Sequence, residues 1–217
     1  MMLKVLNSFE ELAQEISAEL AKSESPLVGL SGGSTVPPII DALKTSESAQ
    51  ASRWTWIDER LVPYDADGSN YGAMIANLNE DKCIPLPCTE GGSEKDDYQK
   101  AVCPNGEMPS LELLLLGFGG DGHIASLFPG TEQLERACTE EDWIFRSEAS
   151  YFPEQRWTWG MEALTNTKVT FIIFKGGDDS DKFERYNEAV NDPACSTPLA
   201  RFIRKTEGKV IAYQIKG

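Results

Sequence analysis

With 217 residues, 41% of them apolar, the chain is long enough to build its own core. Folding a chain this size removes roughly 70% of its surface from water, so neither a metal nor a disulfide is needed to hold it together. The net charge of −15 excludes a nucleic-acid surface and an anionic-membrane surface, and any anionic ligand must be met by cations gathered at one place.

One domain over residues 1–217 is expected. The five cysteines are odd in number and form no C-x-x-C, and no stretch has the apolar length of a signal-peptide core or a membrane span. A reducing, cytoplasmic setting is expected, with no obligate protein partner evident.

Ser8 and Glu11 form a capping box, and Phe9, Leu12, Ala13, Ile16 and Leu20 follow at helical spacing, which predicts a helix over 9–22. Residues 26–30 read as a short apolar strand. Ser31-Gly32-Gly33-Ser34-Thr35 is a small-residue loop, and Pro37 and Pro38 open a helix through Leu43. Strand, glycine loop and helix start in that order make an anion site: backbone N–H groups and hydroxyls converge there. The loop lacks the lysine of a P-loop, which argues against a nucleoside triphosphate.

Residues 45–52 read as a polar linker and 54–57 as the next strand, ending in Asp58-Glu59-Arg60. Ser69 or Asn70 caps a predicted helix through Leu78. Residues 79–92 read as irregular, and 93–102 as a weak, charged helix. The unbroken apolar run 113–116 suits a strand buried on both faces. Beyond it, Gly117, Gly119, Gly120 and Gly122 make a turn that ends at His123, the only histidine.

A helical turn over 124–128 is predicted, stopped by Pro129, then a helix over 131–137 and short β segments at 143–145 and 156–159. A helical turn at 161–164, a buried strand at 169–174 and an acidic loop at 176–181 follow. Helices at 181–190, with Phe183, Tyr186 and Val190 on one face, and at 198–204 precede a final strand at 209–215. This alternation predicts an α/β fold: a mostly parallel twisted sheet with helices on both faces, in a Rossmann-like three-layer arrangement.

The sequence Gly117-Phe118-Gly119-Gly120-Asp121-Gly122 also satisfies G-x-G-x-x-G after a strand. Three readings stay open: a dinucleotide fingerprint, a plain tight turn, and a catalytic loop presenting His123. The short helix after it argues against the first. A helix N-terminus beside His123 would keep the ring neutral and able to accept a proton. With one histidine and no cysteine cluster, a zinc site is not expected.

Three stretches, LSGGST (30–35), DERLVP with SN shortly after (58–63, 69–70) and LGFGGDGHIASLFPG (116–130), resemble the 6-phosphogluconolactonase family. RWTWGMEALTNTKVTFIIFKGG (156–177) is a weaker match. The Ser126-Leu127-Phe128-Pro129 run is the lactonase form, where the related glucosamine-6-phosphate deaminases carry an F-N-E-P-like run. Two departures stand out: Val36 precedes Pro37 in the first loop, and Lys182 lies beyond an acidic insert, Asp178 to Asp181.

The resemblance implies the sugar-phosphate isomerase/CoA-transferase-like fold group. It also implies hydrolysis of 6-phospho-D-glucono-1,5-lactone to 6-phospho-D-gluconate, in the oxidative pentose phosphate pathway. His123 is then the general base. Gly32, Gly33, Ser34, Thr35, Asp58 and Gly120 line the substrate site, and Arg60, Arg156 and Lys182 are the candidates for its anionic groups. The partner is a phosphorylated sugar lactone, with no cofactor and no metal. The alternatives are a glucosamine-6-phosphate deaminase or isomerase, and a non-catalytic sugar-phosphate sensor.

Overall fold

The computed structural model describes residues 1–89, 92–139 and 142–216. In chain order its elements begin with β1 (Met2–Leu6), α1 (Phe9–Leu20), β2 (Leu27–Leu30), α2 (Val36–Leu43), α3 (Glu47–Ala51), β3 (Arg53–Trp56) and β4 (Asp58–Arg60). The middle of the chain adds β5 (Cys83–Ile84), α4 (Gly92–Val102), β6 (Leu111–Leu116), α5 (Glu132–Ala137), β7 (Ile144–Glu148) and β8 (Gln155–Trp159). Last come α6 (Met161–Thr165), β9 (Thr167–Lys175), α7 (Asp181–Asn191), α8 (Pro198–Lys205) and β10 (Lys209–Ile215).

Seven strands form one parallel sheet in the order β1-β10-β9-β6-β2-β3-β5. The apolar run predicted as a doubly buried strand is β6, its fourth and central member, with Leu113 to Leu116 at 1% exposure or less. Connections from β1, β2 and β3 step toward β5, while those from β5, β6 and β9 step toward β1. Right-handed crossovers then place α1–α3 on one face and α4 and α6–α8 on the other. The packing agrees: α1 lies on α2 and α3, and α8 lies on α6 and α7. The step direction reverses between β2 and β6, so a crevice opens at their carboxyl ends.

A second, antiparallel sheet of three strands, β4-β8-β7, stands beside that crevice. Ile57 joins the two sheets: its N–H donates to Leu30 O at 3.0 Å, and its carbonyl accepts from Trp159 N–H at 2.8 Å. Asp58-Glu59-Arg60 is therefore a strand of this sheet, not merely the tail of β3.

Several expectations are corrected. Residues 45–52 hold α3, whose cap is Ser46, with its hydroxyl accepting from Ala49 N–H at 3.3 Å. Only the 3-10 turn Ile75–Asn77 forms where a helix through Leu78 was predicted, because the Asn70 side chain donates to Asp58 O at 2.8 Å. Residues 124–128 form no helical turn: Ala125 takes φ +48° and Ile124 bridges Leu127.

The stretch 79–92 contains β5 and the 3-10 turn Glu80–Lys82; residues 90 and 91 lie outside the described ones. Strand β1, which the sequence did not announce, is an edge strand with Met2 and Val5 exposed. On α7, Ala189 rather than Val190 turns inward; Val190 is 37% exposed. The capping box of α1 is half formed: Ser8 accepts from Glu11 N–H, but Glu11 takes the N–H of Asn7.

Candidate active site

The crevice between β2 and β6 holds a cavity of about 220 Å³. Two loops from adjacent strands make its floor, and they are joined directly. Ser31 N–H donates to Leu115 O at 3.1 Å, and Gly117 N–H donates to the Ser31 hydroxyl at 2.8 Å. The Gly32 N–H donates to Asp58 Oδ1 at 3.3 Å, and any Cβ on Gly32 would fall 2.1 Å from Asn70 Oδ1. Only glycine fits there. Pro37 and Pro38 bring no N–H to the first turn of α2, so the donors at this helix start are Val36 and the loop itself.

His123, on the loop after β6, borders the same cavity with its side chain 23% exposed. Its Nδ1 lies 2.7 Å from Asp121 Oδ1, and the same oxygen accepts the His123 backbone N–H at 3.1 Å. With Nδ1–H donated to a carboxylate, the ring's lone pair is left on Nε2. Partial burial raises the Asp121 pKa, but the backbone N–H, charge and ring of His123 outweigh it and hold the carboxyl below the usual aspartate value. The expected helix N-terminus is absent, because 124–128 are not helical. Asp121 orients the ring instead.

The third wall is the small sheet. Arg60 and Arg156 are paired directly across β4 and β8, so two guanidinium groups share one face. Like charges placed so are mutually unfavourable. Arg156 is 2% exposed, with Nε donating to Pro153 O at 3.1 Å and its guanidinium carbon 5.0 Å from the Tyr151 ring and 5.7 Å from the Phe128 ring. Its Nη2, and the Nε of Arg60, are buried without a hydrogen-bond partner. Burial lowers the Arg156 pKa below the usual guanidinium value; Asp58 opposes this and Arg60 adds to it. The His123 ring lies 4.8 Å from the same Phe128 ring, so imidazole and guanidinium flank one phenyl group.

Lys182, in the first turn of α7, reaches the cavity with Nζ 4.8 Å from the Phe118 ring. Burial lowers its pKa, and Asp121 acts against that shift. The acidic insert is pinned by Gln214 Nε2 and Lys216 Nζ on Asp178, at 2.9 and 3.0 Å, which lets Ser180 cap α7 and present Lys182. Fully buried Glu59 anchors the loop after β4 by accepting N–H groups of Arg60, Asn70 and Tyr71 at 2.7, 2.7 and 2.8 Å and the Ser69 hydroxyl at 3.1 Å. Desolvation raises its pKa against the pull of those donors.

Thus His123, Gly32, Gly33, Ser34, Thr35, Asp58, Arg60, Arg156 and Lys182 all border one cavity. Gly120 does not: it is exposed, and its carbonyl accepts from Arg185 Nε at 3.0 Å. Gly117 and Gly119 take its place. Sequence reasoning missed Tyr151, carried on the turn between β7 and β8, where no local pattern marks an aromatic as inward. Among the described residues no group of three or more His, Cys, Asp and Glu side chains is placed to hold a metal ion. No helix among them is long and apolar enough to cross a membrane.

A doubly wound sheet that gathers cations, backbone donors and a histidine at its switch point is of the α/β class that binds small anionic ligands there. Residues 5–212 match the glucosamine-6-phosphate isomerases/6-phosphogluconolactonase family, and the chain belongs to it. It is 27% identical to a probable chloroplastic 6-phosphogluconolactonase 4 of Oryza sativa, over 88% of this chain and 65% of that protein. It is 29% identical to a putative 6-phosphogluconolactonase of Caenorhabditis elegans, over 75% of this chain and 66% of the other. The chain thus spans just under two thirds of the length of these relatives. The fold is also that of the 6-phosphogluconolactonase crystal structure from Thermotoga maritima, with TM-score 0.82 at 22% identity over 99% of both chains.

Proposed function

We propose that this chain hydrolyses 6-phospho-D-glucono-1,5-lactone to 6-phospho-D-gluconate, as a step of the oxidative pentose phosphate pathway. One juxtaposition carries the reading: a histidine held by a carboxylate opens on the same cavity as two facing arginines with unpartnered nitrogens. A lactone bearing a phosphate needs both, a base at its carbonyl and cations at its phosphate.

In this mechanism Nε2 of His123 takes a proton from a water that attacks the lactone carbonyl, while Asp121 holds Nδ1–H and stabilises the imidazolium that forms. Backbone N–H groups of the glycine loops face the oxyanion that develops. Collapse of the tetrahedral intermediate breaks the ring C–O bond, and the proton from His123 goes to the departing ring oxygen. The loop from Gly32 to Thr35, with Arg156, Arg60 and Lys182, holds the phosphate and relieves the repulsion between the guanidinium groups.

The test is His123→Asn, with lactone turnover measured at neutral pH and spontaneous hydrolysis subtracted. Loss of a general base lowers kcat at least ~10²-fold. Turnover within about threefold of the parent would place the base elsewhere. Release of ammonia from glucosamine 6-phosphate by the parent would favour the deaminase branch instead.

A further inference from the structure

On the inward face of the small sheet, Asp58 and Arg60 of β4 lie opposite Thr158 and Arg156 of β8. Asp58 and Arg156 are diagonal neighbours there, close enough for a long side chain to cross. Both are buried, at 3% and 2% exposure. A buried carboxylate and a buried guanidinium in reach of each other ordinarily close a bidentate pair. Among the described residues no hydrogen bond or ion pair joins these two.

What stands between them is Ser126, fully buried on the loop after His123. Its hydroxyl donates to Asp58 Oδ2 at 2.8 Å and is approached by Arg156 Nη1 at 3.5 Å. The other Asp58 oxygen is engaged by Gly32 N–H. Ser126 is itself held firmly. Its N–H donates to the Thr158 hydroxyl at 3.2 Å, and its carbonyl accepts from the Ser147 hydroxyl. Ala125, just before it, is the one non-glycine residue with positive φ among those described, at +48°. Such backbone persists only where the surroundings over-determine it.

We propose that Ser126 is a positioning residue: its hydroxyl separates Asp58 from Arg156, prevents a direct ion pair, and leaves Arg156 Nη2 free for the anionic group of the substrate. The arrangement reconciles two demands. Asp58 must stay near enough to accept from the Gly32 loop, yet it must not close on the cation beside it. Without the spacer, Arg156 turns onto Asp58, and an incoming phosphate has to break that pair before it binds. The inference rests on reading the cavity as a sugar-phosphate site.

The experiment is a double-mutant cycle read by calorimetric titration with inorganic phosphate and with 6-phosphogluconate. Ser126→Ala weakens both by about tenfold, the scale of losing a charge-assisted hydrogen bond. In lactone turnover, KM then rises more than kcat falls. In an Asp58→Asn background the competitor is gone, and Ser126→Ala costs less than about twofold in affinity.

Equal losses in both backgrounds, or parent-like binding by Ser126→Ala, overturn the proposal. Should Ser126→Ala fail to fold, Ser126→Cys keeps a spacer of similar size. Binding within about threefold of the parent is then expected, and a tenfold loss that Asp58→Asn does not rescue overturns the idea. If the parent binds neither probe, or Arg156→Ala binds both as well as the parent does, the reading of the cavity has failed and the spacer role with it.

Discussion

In the proposed mechanism, His123 shows how a lone titratable group becomes a usable base. An imidazole free to rotate offers either nitrogen, so only part of its population faces a substrate. Here the carboxylate of Asp121 takes Nδ1–H and the backbone N–H of the same residue, which fixes both tautomer and ring plane. Asp121→Asn keeps the shape but permits the other tautomer, so kcat falls at least ~10²-fold with little change in KM, as steady-state turnover will show. The pH dependence follows from the depressed Asp121 pKa. Its contribution to stability is present above the ordinary aspartate value of 3.8 and is lost as pH falls through the lower, folded value. Acid unfolding curves of Asp121→Asn and the parent should therefore converge below that point.

Secondary-structure elements place these side chains, and their ends carry the tension. Gly122 takes φ +84°, and a Cβ there would meet Thr197 at 2.8 Å, because Leu199 N–H at the start of α8 is bonded to Gly122 O at 3.0 Å. Gly122→Ala destabilises by about 1–3 kcal/mol and displaces His123. Gly120→Ala, with open space around it, stays within about 0.5 kcal/mol of the parent. Chemical denaturation measures both. Glu59 offers a second case at this scale. A glutamine has one acceptor oxygen where four donors converge, so Glu59→Gln orphans buried N–H groups and costs about 1–3 kcal/mol, read by the same unfolding curves. The predicted helix after Asn70 fails for a related reason: backbone and side chains there are recruited by β4 rather than by one another.

At the scale of the whole molecule, the net charge of −15 contrasts with a cavity bordered by three cations. On the proposed function, a bound dianion ties β2, β4, β6, β8 and α7 together and offsets the Arg60–Arg156 repulsion. At a hundredfold its Kd, 6-phosphogluconate stabilises the fold by about 2.7 kcal/mol. For a chain of this length that raises Tm by roughly 5–10 °C in a thermal-melt assay, whereas unphosphorylated gluconate raises it far less. Removing both arginines abolishes the difference.

Much of this was legible in the chain. The strong periodicities of α1, α7 and α8, the apolar runs of β6 and β9, the Ser31–Thr35 loop and His123 are local features, set by residues within a few positions of one another, and local pattern reports them. The small sheet was not legible as a sheet, since β4, β7 and β8 are only three to five residues long and draw their stability from one another. Only the tertiary structure decided that Arg60 faces Arg156, that Tyr151 closes over the latter, and that Ser126 parts it from Asp58. These contacts join positions up to about a hundred residues apart, and the register that brings them together is chosen by packing around the switch point, which no short window of sequence contains.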